Sequence, residues 1–257
     1  MQDPAPHLVL TVPCYNEAKR LDERAFLDFA SAHPHVSLVF VDDGSTDTTG
    51  EILNRLTESA PGSISALYPG SHQGKAAAVR HGILEGLGRK ADLVGFWDAD
   101  LSTPLRAVDD FLALLRKRPE VEVVLGSRVA VMGRDIRRQA WRHYIGRVFA
   151  TAVSVTLDLP VYDTQCGAKV FRANDAIAGV FAAPFRNQWV FDVEVLERYL
   201  SLPVPPDSPP RRSRIYELVV PQWHHAPGSK LRPWHFIRAT FDLACSWRGR
   251  SAWTHQR

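Results

Sequence analysis

The stretch LVGFWDADLSTP, residues 93–104, holds an apolar segment, a polar turn and the expected start of a helix. Its first part, LVGFW, is apolar throughout, as is typical of a strand that is covered on both faces. Asp98 and Asp100 follow that strand directly. Thr103 and Pro104 then suit the N-cap and the first position of the next helix. Strand, turn and helix in this order predict an α/β fold.

Strand-like and helix-like patterns alternate on both sides of this stretch, over residues 8–130. The other apolar strands are expected at 8–13, 36–41, 64–68 and 121–125. Helices are expected at 22–32, from a capping box between Thr48 and Glu51, at 74–86 and at 103–117. Strands that alternate with helices form βαβ units, so the pattern predicts a mainly parallel, Rossmann-like central sheet flanked by helices.

The second half of the chain has a less regular pattern. Helices are expected at Ala140–Leu157, 188–200 and 231–247, short strands at 169–171 and 214–220, and a proline-rich loop at 203–210. We interpret residues 1–257 as a single domain.

The bulk properties of the chain exclude several classes of protein. With 257 residues, 45% of them apolar, and a net charge of +3, it is typical of a globular protein and lacks the basic stripe of nucleic-acid binders. Cys14, Cys166 and Cys245 are odd in number and far apart, which argues against a disulfide framework or a zinc site. Neither a signal peptide nor a run of about 18 apolar residues is visible, so a cytoplasmic protein is expected.

Polar clusters follow several of the expected strands. They are Tyr15-Asn16-Glu17, Asp42-Asp43 and Asp98-Ala99-Asp100. Ligands of parallel sheets bind beyond the carboxyl ends of the strands, so these clusters are expected to share one site. Asp98 and Asp100 suit Mg²⁺ or Mn²⁺, hard cations that prefer oxygen ligands and leave positions for substrate phosphates. Such an ion would neutralise a diphosphate leaving group.

Further candidates each have a plain structural alternative. Asp42 and Asp43 could accept hydrogen bonds from a base imide or a ribose hydroxyl, or could serve only a turn. Lys75, after Gly74, could meet a phosphate at a helix N-terminus, although the stretch departs from a P-loop. Asp163 could act as a base or orient an acceptor, or could belong to a polar loop.

The C-terminal half adds three more candidates. Asp192 could contact sugar hydroxyls and Trp189 could stack on a sugar ring, or both could belong to an ordinary helix start. Cys166 has no evident histidine partner and is expected to be a packed thiol rather than a nucleophile. A basic patch suits either an interfacial helix on anionic lipid or a solvated helix face. The patch consists of Arg134, Arg137, Arg138, Arg142 and Arg147.

These motifs, in this order, resemble the family-2 glycosyltransferases with the GT-A fold. The matching stretches are VPCYNE at 12–17, VDDGSTD at 41–47, GK at 74–75 with Arg80 downstream, DADL at 98–101, GSR at 126–128 and DTQCG at 163–167. Within that family the chain is most similar to dolichyl-phosphate β-glucosyltransferases and other polyprenyl-phosphate glycosyltransferases. The stretches at 163–171 and 189–196 and GSK at 228–230 favour the glucosyl branch.

The resemblance implies an inverting, metal-dependent transfer of a hexose from a nucleotide sugar to a polyprenyl or dolichyl phosphate. Glucose from UDP-glucose is the donor that it favours. It also divides the chain into a nucleotide-sugar-binding half, 8–130, and an acceptor-binding half, 131–257, with C-terminal helices on the acceptor side.

Roles for individual residues follow from the same resemblance. The nucleotide would be bound by Pro13, Tyr15, Glu17, Asp42, Asp43, Lys75, Arg80 and Asp98. The sugar and the acceptor would be bound by Arg137, Arg138, Gln165, Trp189, Asp192 and Lys230. The catalytic residues would be Asp98, Arg128 and Asp163, and the ligands of Mg²⁺ or Mn²⁺ would be Asp98 and Asp100.

Two departures from the family pattern leave alternatives open. Ser102 stands where mannosyl-phosphate synthases often have Gln, which disfavours GDP-mannose. No membrane anchor is visible, so the acceptor could be a lipid reached by peripheral contact with the membrane or a small soluble molecule. The intact Asp98 and Asp100 argue against a non-catalytic nucleotide-sugar-binding protein, and the glycine-poor stretch at 12–20 argues against a nucleotidyltransferase.

Overall fold

The computed structural model of the chain describes residues 5–137, 140–188 and 190–224. The strands are β1 Leu8–Cys14, β2 Val36–Asp42, β3 Ile64–Leu67, β4 Leu93–Trp97, β5 Val123–Ser127, β6 Asp135–Arg137, β7 Ala168–Arg172, β8 Ile215–Val219 and β9 Gln222–His224. The helices are α1 Glu23–Ala32, α2 Thr49–Ser59, α3 Lys75–Gly88, α4 Ala107–Lys117, α5 Ala140–Leu157, α6 Asp175–Ala182 and α7 Phe191–Ser201.

One sheet contains most of these strands, in the order β3-β2-β1-β4-β7-β5-β8. Strand β1 pairs in parallel with β2 and β4, β2 in parallel with β3, and β5 in parallel with β8. Strand β7 alone in this sheet runs the other way, antiparallel to both β4 and β5. The predicted mainly parallel α/β class is confirmed. Because β7 is reversed, its start lies at the edge where the other strands end, and we call this edge the carboxyl edge.

Helices cover both faces of the sheet, as the apolar strands require. One apolar cluster joins alternate residues of β1, such as Leu10, to α1, α2 and α4 through Phe26, Leu53 and Phe111. The other cluster joins the opposite face of β4 and β5 to α3, α5, α6 and α7. The centre of the sheet is therefore buried between two helical layers, whereas the outer strands β3 and β8 are mostly half-buried.

Helix α4 begins later than its proline suggests. The α-helix starts at Ala107, whereas the sequence placed the N-cap at Thr103 and the first position at Pro104. The Ala107 N–H donates to the Pro104 carbonyl at 3.0 Å, a bond to the third residue back that forms a tight turn before the helix. Trp97 Nε1 donates to the Thr103 carbonyl at 2.7 Å, which fixes the polar turn to the core.

Two other helix starts also differ from the expectation. Thr48 lies at the N-cap of α2, but its side chain makes no capping bond, so the predicted capping box is wrong. Asp47 Oδ1 instead accepts the Thr49 N–H at 3.0 Å. Helix α7 begins at residue 191 rather than 188, because Asn187 Oδ1 accepts the Val190 N–H in a preceding turn.

The second half of the chain contributes to the same sheet as the first. Strand β7 lies between β4 and β5, although it follows both in sequence. Strands β6 and β9 and helix α6 were not predicted, because each is short and carries little periodic pattern. The helix expected at 231–247 lies outside the described residues.

Candidate active site at the carboxyl edge

The carboxyl edge gathers most of the side chains that the sequence singled out. Pro13, Tyr15 and Glu17 lie at the end of β1, Asp42 and Asp43 at the end of β2, Asp98 and Asp100 after β4, Arg128 after β5, and Asp163 and Gln165 before β7. The strand order places the β1 and β4 clusters side by side, with the Asp163 loop next to them. The charges therefore converge from distant parts of the chain, as the parallel-sheet argument predicted.

Asp43 joins the β2 end to the loop that precedes α3. Its carboxylate accepts the backbone N–H groups of Gln73 and Gly74, at 2.8 and 2.7 Å, and lies 2.7 Å from His72 Nδ1. The His72 ring stacks on Tyr15, with the ring centroids 3.9 Å apart. Asp43 is only 3% exposed, so it fixes the loop that leads into α3 and sets where that helix begins.

Lys75, the first residue of α3, forms an ion pair with Asp98. Its Nζ lies 2.5 Å from Asp98 Oδ1. Partial burial acts to lower the pKa of Lys75, but the carboxylates of Asp98, Asp192 and Asp100 outweigh it and the pKa is raised. Lys75 therefore keeps its positive charge at the centre of the carboxyl edge.

The Asp98 carboxylate lies directly against the backbone of Gly167. The Asp98 N–H donates to the Gly167 carbonyl at 2.9 Å, which continues the pairing of β4 with β7 beyond the strand ends. A Cβ atom at position 167 would stand 1.9 Å from Asp98 Oδ2, so no larger residue fits while Asp98 keeps this orientation. Gly167 and Lys75 thus fix the carboxylate from two sides.

Asp100 is also engaged with neighbouring residues. Its Oδ1 accepts the Ser102 N–H at 3.0 Å, and its Oδ2 lies 3.8 Å from Arg20, which pairs with Glu17 at 2.5 Å. Within the described ranges, no group of three or more His, Cys, Asp or Glu side chains could hold a metal ion. The carboxylates of Asp98 and Asp100 are partly exposed. Two such carboxylates suit a hard cation that takes its remaining ligands from substrate oxygens.

Asp163 forms a bidentate ion pair with Arg128. Arg128 Nε donates to Asp163 Oδ2 at 2.6 Å and Nη2 donates to Oδ1 at 2.7 Å. The backbone N–H groups of Arg128 and Gln165 also donate to this carboxylate, at 3.0 and 3.1 Å. Burial acts to lower the pKa of Arg128, but the paired Asp163 outweighs it and the pKa is raised. The guanidinium is therefore held rigidly and fully charged.

Glu217 on β8 binds the backbone of the Asp163 loop. Its carboxylate accepts the backbone N–H groups of Tyr162 and Asp163, at 2.9 and 2.7 Å. Burial raises the pKa of Glu217, although the two N–H groups act against it. The loop is thus anchored to β8, the last strand of the sheet, which fixes the position of Asp163.

Lys169 is a functional candidate that the sequence analysis missed. Its side chain is fully buried in β7, and Nζ donates to Asp192 Oδ1 and to the Cys166 carbonyl, both at 2.6 Å. Nζ also lies 5.1 Å from the centroid of the Phe96 ring. The available signal was a lysine at the start of the short strand expected at 169–171, because a charge that a strand buries needs a partner.

Cys166 is a buried thiol next to this pair. Burial raises the pKa of Cys166 to about 11, so the thiol stays protonated near neutral pH. The expectation of a packed thiol is confirmed, since the side chain is 0% exposed.

Other predicted residues do not join the cluster or cannot be placed. Arg80 donates to the carbonyls of Phe181 and Ala182, at 2.8 and 2.5 Å, and so joins α3 to the end of α6. Arg137 ends β6, but its side chain is outside the part of the chain that is described. Arg138, Trp189 and Lys230 also lie outside the described residues.

Comparison with known families now identifies the scaffold. The family model described as Glycosyl transferase family 2 matches residues 10–177, which is more than half of the chain. The chain belongs to glycosyltransferase family 2. The match spans Asp43, Lys75, Asp98, Asp100, Arg128 and Asp163.

Curated relatives of this family-2 glycosyltransferase align over most of its length. The chain is 31% identical to a dolichyl-phosphate β-glucosyltransferase of Dictyostelium discoideum, over 88% of this chain and 69% of the relative. It is 30% identical to the mouse (Mus musculus) protein of the same name, over 93% of this chain and 74% of the relative. It is 26% identical to an undecaprenyl-phosphate 4-deoxy-4-formamido-L-arabinose transferase of Pseudomonas savastanoi, over 66% of this chain and 48% of that protein.

Solved structures share the fold of this glycosyltransferase. The glucosyl-3-phosphoglycerate synthase of Mycobacterium tuberculosis in complex with UDP has a TM-score of 0.66 at 18% identity, over 95% of this chain and 80% of the synthase. The same synthase with Mn²⁺, UDP-glucose and phosphoglyceric acid has a TM-score of 0.65 at 16% identity, over the same shares. The predicted GT-A fold is confirmed. Among the described helices, none is both long and apolar enough to cross a bilayer.

Proposed function

We propose that this glycosyltransferase moves glucose from UDP-glucose to a polyprenyl phosphate, with inversion at the anomeric carbon. The observation that carries the proposal is the alignment with dolichyl-phosphate β-glucosyltransferases over about nine-tenths of the chain. The convergence of Asp43, Lys75, Asp98 and Arg128 on the carboxyl edge supports it, because a nucleotide diphosphate and a phosphate acceptor both need such charges.

The donor would lie over the ends of β1, β2 and β4, in the half formed by residues 8–130. Tyr15 would meet the nucleoside through its ring, and Asp43 would hold the loop before α3 beside it. Lys75 would meet the diphosphate, since it is charged and lies at the first turn of α3. Glu17, paired with Arg20, would orient the β1 loop.

Asp98 and Asp100 would hold Mg²⁺ or Mn²⁺ together with phosphate oxygens of the donor. The bound ion would neutralise the negative charge that develops on the leaving nucleotide diphosphate. Lys75 and Arg20 now pair with these carboxylates and would remain next to the bound phosphates. The protein side chains would thus orient the donor diphosphate and place positive charge on both sides of the leaving group.

The acceptor phosphate would lie near Arg128, in the half formed by residues 131–257 and the end of β5. Its oxygen is already ionised near neutral pH, so attack on the anomeric carbon needs no strong protein base. An ionised carboxylate offers about four acceptor positions, and four N–H donors already fill those of Asp163. We therefore assign Asp163 the task of orienting Arg128, in place of the catalytic-base role.

Asp163→Asn is expected to lower kcat/KM for transfer about tenfold, because the amide loses part of its bonding to Arg128. The pH dependence of kcat between pH 6 and 9 should keep the shape seen in the wild-type protein. Steady-state kinetics across this range tests the assignment. If Asp163 were a general base, the substitution would instead lower kcat/KM at least about 100-fold and change the acidic limb of the pH profile of kcat.

Helix α5 presents an apolar surface that suits peripheral contact with a membrane. Val148 and Val155 lie on the same face of the helix, two turns apart, and are 69% and 75% exposed. Arg147 lies on the same part of the helix and packs its guanidinium 4.8 Å from the centroid of the Tyr162 ring, next to the Asp163 loop. Apolar and basic side chains together favour an anionic lipid surface, where a polyprenyl phosphate resides.

Donor choice and metal dependence can be tested with purified protein. Binding of UDP-glucose, GDP-mannose and UDP-N-acetylglucosamine is measured by calorimetry, with Mn²⁺ or with EDTA. We expect tightest binding of UDP-glucose, with an increase in affinity on addition of Mn²⁺ that Asp100→Ala abolishes. Equal binding of all three donors would contradict the donor assignment, and an unchanged metal effect in Asp100→Ala would contradict the metal assignment.

A further inference from the structure

Strand β9 joins the two charged parts of the carboxyl edge. Just before it, the Val220 N–H donates to the Ser127 carbonyl at 3.0 Å, next to Arg128. At its end, the His224 N–H donates to the Ser102 carbonyl at 3.0 Å, in the turn that follows Asp100. The backbone of β9 is therefore fixed at both ends, and its middle residue, Trp223, has little freedom to move.

Trp223 lies against the Arg128 guanidinium. The Arg128 Cζ atom is 5.4 Å from the centroid of the Trp223 ring, within the range of a cation–π contact. Trp223 also packs against the apolar cluster under α1 and α4, together with Ile136, its partner in the β6–β9 pairing. The ring is thus a fixed platform, supported by the core on one side and by a paired strand on the other.

Asp163 and Trp223 restrict Arg128 in different ways. The bidentate bonds to Asp163 fix the Nε and Nη2 edge of the guanidinium, but they leave rotation about that edge open. A ring beside the guanidinium limits this rotation. Arg128 Nη1 donates to no acceptor within the described part of the chain, so its N–H groups are available to an incoming anion.

We propose that Trp223 is a positioning residue that aims Arg128 Nη1 at a phosphate oxygen of the substrates. The proposal rests on the proposed function, because that function gives Arg128 a phosphate to bind. The phosphate can belong to the acceptor or to the donor diphosphate, because both offer negatively charged oxygens that accept hydrogen bonds from a guanidinium. Removing the ring while Asp163 stays in place leaves Arg128 charged but less well oriented.

The test compares Trp223→Leu, which removes the aromatic face, with Trp223→Phe, which keeps one. We expect Trp223→Leu to raise the KM of the affected phosphate substrate about tenfold, whereas Trp223→Phe stays within about threefold of the wild-type protein. A rise confined to the polyprenyl phosphate assigns Arg128 to the acceptor, and a rise confined to UDP-glucose assigns it to the donor. Tyr216→Leu is a matched control, since Tyr216 stacks with Arg118 at the same 5.4 Å on another part of the fold.

Calorimetric binding of inorganic pyrophosphate keeps this test separate from glucosyl transfer. If the wild-type protein binds pyrophosphate and Trp223→Leu binds it about tenfold more weakly, the role of Trp223 stands even if the protein transfers no glucose. Thermal unfolding of each variant identifies a purely structural effect. Equal pyrophosphate affinities and equal KM values in Trp223→Leu and Trp223→Phe would overturn the proposal.

Discussion

Gly167→Ala is expected to lower kcat/KM for glucosyl transfer at least about 100-fold while the protein stays folded. The new Cβ would stand 1.9 Å from Asp98 Oδ2, so the carboxylate must leave its position. Asp98 is partly exposed at the carboxyl edge and can rotate towards solvent, which relieves the overlap without unfolding the sheet. The rotated carboxylate would no longer face Lys75 or the metal. We therefore expect weaker metal binding and a less well oriented donor.

Steady-state kinetics and calorimetric titration with Mn²⁺ test this prediction, with circular dichroism as the check of the fold. Gly86→Ala is a suitable control, because its Cβ would stand 2.8 Å from a Val94 methyl group inside the sheet–helix packing, away from the carboxyl edge. We expect the control to lose stability but to keep the metal affinity of the wild-type protein. Activity of Gly167→Ala within threefold of the wild-type value would contradict the role given to Gly167.

Lys169→Met is expected to lower the free energy of unfolding by about 3–5 kcal/mol. Methionine fills much of the same volume, but it leaves the buried Asp192 carboxylate without the ammonium that lies 2.6 Å away. The Cys166 carbonyl loses its donor at the same time. For a chain of this size the midpoint of thermal unfolding should fall by roughly 6–20 °C.

Urea denaturation followed by circular dichroism measures this loss. The double variant Lys169→Met with Asp192→Asn should recover most of the stability that Lys169→Met loses, since neither buried charge then remains. This recovery separates an electrostatic origin from a packing defect. A double variant that is no more stable than Lys169→Met would contradict the buried-pair account, as would a single variant within 1 kcal/mol of the wild-type protein.

The general architecture could be predicted from the sequence because it depends on local patterns. Alternating apolar and amphipathic segments predict the strands and helices of an α/β sheet, and the polar residues after each strand predict where the site lies. The direction of β7 could not be predicted in this way. A five-residue strand can pair in either direction, and only the neighbouring β4 and β5 decide the orientation.

The site residues divide in the same manner. Asp43, Asp98 and Arg128 belong to short motifs that can be recognised in the sequence. The tasks of Gly167 and Trp223 depend on contacts with Asp98 and Arg128, which are distant in sequence and come together only in the folded sheet. The bonds of Arg80 could not be predicted for the same reason, because the carbonyls that it meets belong to α6, an unpredicted helix.

The most direct test of the central claim is transfer of radiolabelled glucose from UDP-glucose to a polyprenyl phosphate in phospholipid vesicles. The account predicts label in the organic phase when Mn²⁺ or Mg²⁺ is present, its loss with EDTA, and a β-configured glucosyl phosphate in the product. A parallel reaction with a soluble phosphorylated acceptor tests the competing acceptor class. Label that enters only the soluble acceptor, or that enters neither, would contradict the proposed function.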